Sequence, residues 1–249
     1  MIVGGHEKET SMDVTGVKVA VEYNEDGTML FVVEYPGAFT RGGTREEALA
    51  KADREVSGYC AWAGVPVPAM HVVQIIQETR TGAKLSDGDS AILLDGERQP
   101  LPDDEFELLR DRVLLSAGSF MELYDALPDP DATLTPTPRE TFYGHVPRTP
   151  REMLTHVNNV TSYYTWQIGI DQENVPDLIA NRRMAMRRIT SLGSSCSDRV
   201  FGTDELWTVH KVMRRFLWHD RIHAKALYRG AVRRWGREAV ADPFRFAVL

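Results

Sequence analysis

Apolar and polar residues first sort themselves with a period of two. Residues 17–23 (VKVAVEY) and 28–35 (TMLFVVEY) have the length and the β-branched content of strands. Asn24-Glu25-Asp26-Gly27 lies between them, and its Asp-Gly pair supplies the positive-φ positions of a tight hairpin. Pro36-Gly37 breaks the second strand. Thr44-Arg45-Glu46-Glu47 then fits a capping box, in which the hydroxyl and a carboxylate satisfy the first free amides of a helix, and this predicts a helix reaching about Ala63. Two further apolar runs, 71–77 and 91–95, have strand length and flank the turn-rich segment TGAKLSDGD. Residues 1–100 are therefore expected to form an α+β module in the order β-β-α-β-β.

From Leu101 onward the period changes to 3.6. Phe106, Leu109, Val113, Phe120 and Tyr124 share a helical face behind the start Pro102-Asp103-Asp104. A loop containing Pro128, Pro130, Pro136, Pro138 and Pro147 cannot continue that helix. Thr149-Pro150-Arg151-Glu152 opens the next one, with a capping-box pair and proline at the first helical position. Met153, Val157, Val160, Tyr164 and Ile168 form its apolar stripe, which ends near Gly169. A third helix is expected over residues 176–192 and a fourth, the longest, from about Thr203 to Arg229, with Val209, Val212, Phe216 and Leu227 on its buried face. Four amphipathic helices with one long connection describe an all-α four-helix bundle over residues 101–249.

Residues four apart on a helix lie one above the other, so His219 and His223 project from one face. They continue the stripe of Val212 and Phe216 and are expected to point into the bundle. His156 falls between Met153 and Val160 on the inward stripe of the second helix, which lets a third imidazole arrive from across the interior. Three inward imidazoles without a metal would need three separate sets of hydrogen-bond partners. Three neutral imidazoles with no obvious fourth protein ligand suit zinc, nickel or another borderline transition ion and leave a coordination position for water or substrate. Such a site can lower the pKa of a water toward about 7 or stabilise a thiolate nucleophile. Asp220, adjoining His219, is a candidate for orienting a ligand imidazole, and Arg215, one turn earlier, for holding an anionic substrate. Of the remaining histidines, His210 falls opposite the stripe and is expected to be solvated, His6 lies in the N-terminal tail and His71 at a strand edge. His145, in the proline-rich loop, is the one expected near the site's outer edge.

The segments Thr149-Pro-Arg-Glu-Met-Leu-Thr-His156 and Trp207-Thr-Val-His-Lys-Val-Met-Arg-Arg-Phe-Leu-Trp-His219-Asp-Arg-Ile-His223 resemble the DinB-like (YfiT-like) metal-binding four-helix proteins across residues 101–235. That resemblance implies an up-down bundle, a three-His metal site on His156, His219 and His223, and frequent homodimers. It also implies thiol-dependent S-transfer or isomerisation with a low-molecular-weight thiol, while the open metal site read from the histidines equally admits metal-assisted hydrolysis; either would act on a small-molecule substrate. A non-catalytic binding or regulatory protein with a structural metal is the alternative. The stretch Glu34-Tyr-Pro-Gly-Ala-Phe-Thr-Arg-Gly-Gly-Thr-Arg-Glu-Glu-Ala48 resembles the HicB antitoxin module, a small relative in shape of ribonuclease H. Asp26, Glu34 and Asp53 do not assemble the two-metal carboxylate cluster that ribonuclease H chemistry needs.

Composition narrows the partners. At 43% hydrophobic and 26% charged, the 249-residue chain has the apolar content to bury cores, unlike a disordered chain. No run approaches the roughly 20 apolar residues of a membrane span, and the N-terminus lacks the basic and apolar regions of a signal peptide, so a cytoplasmic protein is expected. Cys60 and Cys196 form no CxxC and read as free thiols. The net charge of −7 argues against nucleic acid as a partner. It conceals an asymmetry: residues 1–149 carry 13 Lys+Arg against 26 Asp+Glu, giving −13, while residues 150–249 carry 16 against 10, giving +6. The positive half holds the three inward histidines.

Overall fold

The computed structural model describes residues 16–68, 73–135, 137–141, 143–192 and 199–247. The protein is α+β, with a four-stranded sheet in its N-terminal part and long helices after it. Strands β1 (Val17–Asn24) and β2 (Gly27–Val32) form the expected antiparallel hairpin, closed by the Asn24–Gly27 pair. Pro36-Gly37 ends the extended run as expected, but the chain turns straight back into a third strand, β3 (Phe39–Gly42), antiparallel to β2. Two short helices follow, α1 (Arg45–Leu49) and α2 (Ala52–Ala63), where one continuous helix was expected. The Thr44 hydroxyl caps α1 by accepting from the Glu47 amide, and left-handed Gly64 ends α2. Strand β4 (Val73–Arg80) then pairs in parallel with β1, giving the order β3-β2-β1-β4. His71 and the start of the strand expected over 71–77 lie outside the described residues, as do His6 and Cys196.

The expected order β-β-α-β-β is therefore corrected to β-β-β-α-α-β. Residues 91–95 are not a strand, and the reason is chemical. Their backbone groups find side-chain partners instead of a ladder: the buried Glu22 carboxylate accepts from the amides of Ala91 (2.9 Å) and Ile92 (3.1 Å) and from the Ser90 hydroxyl. Lys211 donates to the Ala91 carbonyl (2.9 Å) and Arg214 to that of Ile92 (3.0 Å). Every backbone group so satisfied is one a strand no longer needs to pair.

Helices α3 (Asp103–Asp125), α4 (Pro150–Gln167), α5 (Leu178–Ser191) and α6 (Val209–Trp235) make up the C-terminal part, with α3 and α4 each packed against both α5 and α6. The capping box at Thr149 is present, its hydroxyl accepting from Glu152 and the Glu152 carboxylate returning to Thr149. Helix α6 begins later than expected because Phe201 and Trp207 pair through their backbones first, leaving Thr208 as the cap; it runs on to Trp235, where Gly236, with a positive φ of 86°, ends it. A small hairpin, β5 (Glu140–Thr141) and β6 (Gly144–His145), stands in the proline-rich loop between α3 and α4.

The sheet is covered on both faces. Val19, Val21, Leu30 and Val32 join a core shared with α2, α3, α4, α5 and α6, whereas Ala20, Met29 and Phe31 on the other face pack with Leu85, Ile92, Leu94 and Trp218 of α6. Polar contacts cross the same boundary. The Trp62 indole donates to Ser119 at 3.0 Å, and Arg214 of α6 is fully buried against Glu97. At Gly37, φ 94°, the turn after β2 touches α6 so closely that a Cβ would lie 2.6 Å from the Leu217 Cβ. Only glycine fits there without displacement.

Candidate metal centre

Helix α4 carries His156 and helix α6 carries His219 and His223, and the two helices bring the three rings together. The Nε2 atom of His156 lies 3.1 Å from that of His223 and 3.2 Å from that of His219. One ligand atom from each ring falls within 4.8 Å of the others, so the group could hold a metal ion. Nitrogens bound to one ion at about 2.0–2.1 Å, with angles from octahedral to tetrahedral, are separated by about 2.8–3.4 Å, and the two observed spacings fall inside that range. Hydrogen bonding alone does not account for the cluster. A neutral imidazole Nε2 offers either one proton or one lone pair in the ring plane, yet that of His156 faces two other nitrogens at once.

The rings are held neutral. Burial, then the neighbouring His223 and His156 rings and the cations Arg182 and Arg215, push His219 well below the usual 6.5. Burial and His156 do the same to His223, and burial lowers His156. Neutral nitrogen is the form that ligates. Aromatic walls complete the surroundings: the Tyr164 ring meets His219 edge-on at 6.0 Å, and the Tyr143 ring lies 5.0 Å from His156. His219 Nδ1 is buried with no hydrogen-bond partner among the described residues.

The outer residues fall elsewhere than expected. Asp220 is buried and receives Arg182 Nη2 at 2.8 Å; burial raises its carboxyl to about 6 against the opposing pull of Arg182 and Ser116. Its partners are on α5 and α3, so it orients no ligand imidazole. Arg215 donates to the Ser90 carbonyl at 2.6 Å and lies over the rings of Trp218 (4.5 Å) and Tyr164 (5.6 Å). Buried among aromatics, it is bound into the fold rather than presented to a substrate. His145 turns outward, 91% exposed, and pairs with Glu140. The hairpin that carries it instead brings Tyr143 to the histidines. His210, expected to be solvated, is largely covered and stands 3.5 Å from Glu105, because α6 is buried nearly all round rather than along one stripe.

Among the described residues no helix is long and apolar enough to cross a membrane. Compared with known protein families, curated proteins and solved structures, the chain matches none of them.

Proposed function

We propose that this chain is a divalent-metal protein of the DinB-like kind, with α3–α6 as an up-down four-helix bundle and zinc or nickel held by His156, His219 and His223. The observation that supports it is the mutual approach of three neutral Nε2 atoms at 3.1 and 3.2 Å from two helices. When bound, such an ion supplies Lewis-acid chemistry, favouring the anionic form of a water or thiol ligand. The protein's own part is to keep the three nitrogens deprotonated by burial and to wall the site with Tyr143 and Tyr164. On this reading the activity is thiol-dependent S-transfer or isomerisation with a low-molecular-weight thiol, or hydrolysis, on a small-molecule substrate, and the HicB-like sheet flanks the site. Metal analysis of the purified protein tests it. One zinc or nickel per chain is expected, lost in His219→Ala; full occupancy in that variant refutes the assignment.

A second reading has support of its own. Asp220, adjoining His219, and Arg215, one turn before it, are both committed to structural partners, so neither is presented to a substrate beside the imidazoles. That suits a structural metal in a binding or regulatory protein. Under this reading chelation lowers the melting temperature and no thiol in a screen gives a metal-dependent rate; a rate abolished by chelation favours the enzyme.

A further inference from the structure

Helix α6 buries the basic side chains of Lys211, Arg214, Arg215 and Arg221, and three of them are ion-paired, to Glu205, Glu97 and Glu55 respectively. Arg215 is the exception. Among the described residues no carboxylate pairs with it, and its Nη1 is held instead by the neutral Ser90 carbonyl at 2.6 Å. The carboxylates of this region are engaged elsewhere: Glu205 binds Lys211 at 2.8 Å, and Glu22 takes the amides of Ala91 and Ile92. A buried charge is ordinarily paired, because leaving water is costly for it.

Aromatic rings relieve part of that cost. The Arg215 Cζ lies 4.5 Å from the centre of the Trp218 ring, 5.5 Å from that of Trp207 and 5.6 Å from that of Tyr164. Such contacts serve the flat face of a guanidinium, whereas its N–H bonds lie in the plane, at the edge. At that edge Arg215 Nε is buried with no hydrogen-bond partner among the described residues. The same deficit recurs beside it. Trp218 Nε1 and His219 Nδ1 are buried and partnerless too, and the His219 ring rests edge-on against the Tyr164 ring over which Arg215 lies. Residues three and four apart on a helix are neighbours, so positions 215, 218 and 219 adjoin on α6. Guanidinium and indole N–H groups can only donate. Asp220, the next residue along, is bound to Arg182 of α5 at 2.8 Å. This part of the core therefore holds one unpaired positive charge and several donors without an acceptor. A water would accept from them but would bring two protons of its own to place; an anion brings none.

We propose that a halide ion, chloride in ordinary salt, is bound in the core beside Arg215 by the N–H groups of Arg215, Trp218 and His219, and supports the histidine centre from behind. A neutral imidazole carries one proton. Held at Nδ1 by the anion, that proton leaves the lone pair on Nε2, the nitrogen of His219 that faces His156. The halide thus selects the tautomer that can ligate, and an ion at Nε2 keeps the proton on Nδ1 in turn. Halide and metal are expected to bind cooperatively, each raising the affinity of the other by the same factor. This coupling rests on the metal reading; the halide site itself does not.

Anomalous diffraction from crystals of the full-length protein grown in bromide tests the site on the unaltered chain. A buried bromide at hydrogen-bond distance from Arg215 Nε is expected; a water, or nothing, at that place overturns the proposal. In solution, chloride exchanged for methanesulfonate at equal ionic strength should raise the melting temperature of the metal-free protein saturably, because it binds the folded chain alone. Arg215→Gln should abolish that rise, and a rise that persists in the variant places the ion elsewhere. Should the variant not fold, the bromide crystals decide by themselves. Cobalt titrated in the two salts then reads the coupling, with binding about fivefold or more tighter in chloride expected. Equal cobalt affinity in both salts overturns the supporting role. Bromide found in the crystals of a protein that takes up cobalt in neither salt defeats the metal reading and leaves the halide site standing.

Discussion

Arg214→Met removes one side of a fully buried ion pair. Arg214 and Glu97 are each 2% exposed; the guanidinium is paired to both carboxylate oxygens, one contact being 3.0 Å, and also donates to the Ile92 carbonyl at 3.0 Å. In the variant Glu97 keeps only the Leu94 amide, at 2.8 Å. Stranding a buried charge in this way costs about 3–5 kcal/mol, and the orphaned Ile92 carbonyl sits within that range. For a chain of this length each kcal/mol lowers the melting temperature by about 2–4 °C, so a loss near 4 kcal/mol corresponds to about 8–16 °C. The double variant Arg214→Met/Glu97→Met is the control, because two apolar side chains of similar length leave no charge behind. It is expected to recover most of the loss, with a coupling energy of about 2 kcal/mol or more. Urea unfolding of the four proteins measures the cycle. A single-variant cost below about 1 kcal/mol, or a double variant as unstable as the single one, would show that the buried charge is solvated or mobile and that the loop is not fastened to α6 in this way.

Three further outcomes follow from the same contacts. Glu55 and Glu97 are both held below the ordinary 4.5: burial raises each carboxyl, but Lys225 and Arg221 around Glu55, and Arg214 beside Glu97, outweigh it. Below about pH 5 the unfolded chain takes up protons that the folded one refuses, so stability is complete above that pH and falls as acid approaches the depressed values; melting curves from pH 7 to 3 should show this, and a Glu55→Gln profile that still falls as steeply would exclude Glu55 as a source. Thr149→Ala removes the hydroxyl that accepts from the Glu152 amide and is expected to cost about 1 kcal/mol in urea unfolding, whereas no loss would mean the cap is redundant. Zinc at about a thousand times its dissociation constant should stabilise the protein by about 4 kcal/mol, seen as a higher melting temperature that EDTA reverses and His223→Ala abolishes.

The histidine cluster was legible because each step to it is local. A spacing of four on a helix sets the His219–His223 pair, and an unambiguous cap at Thr149 fixes the face on which His156 lies. What failed were elements whose partners are remote. Residues 91–95 carry the hydrophobicity of a strand, but Glu22, Lys211 and Arg214 supply their hydrogen bonds, and no local pattern announces a backbone served by side chains up to 122 positions away. Strand β3 is only four residues long and exists because β2 templates it. The stripe rule misjudged His210, since it assumes one solvated face and α6 has scarcely any, and nearness in sequence to His219 misled for Asp220 and Arg215, whose partners lie on other elements. Tyr143 carried no signal at all: an aromatic in a proline-rich loop gives no hint of what its hairpin will fold onto.

The meeting of Gly37 with Leu217 makes the bare backbone of one turn a mechanical stop for α6. Two of the helix's next residues along that register are Trp218 and His219, so the height at which the imidazoles stand is gauged from the far side of the molecule. A side chain at position 37 would act as a shim, nudging the helix along or away from the sheet and detuning the ring spacing without altering any ligand. The size of any ion the three rings could hold is thereby open to adjustment from a position outside the cluster.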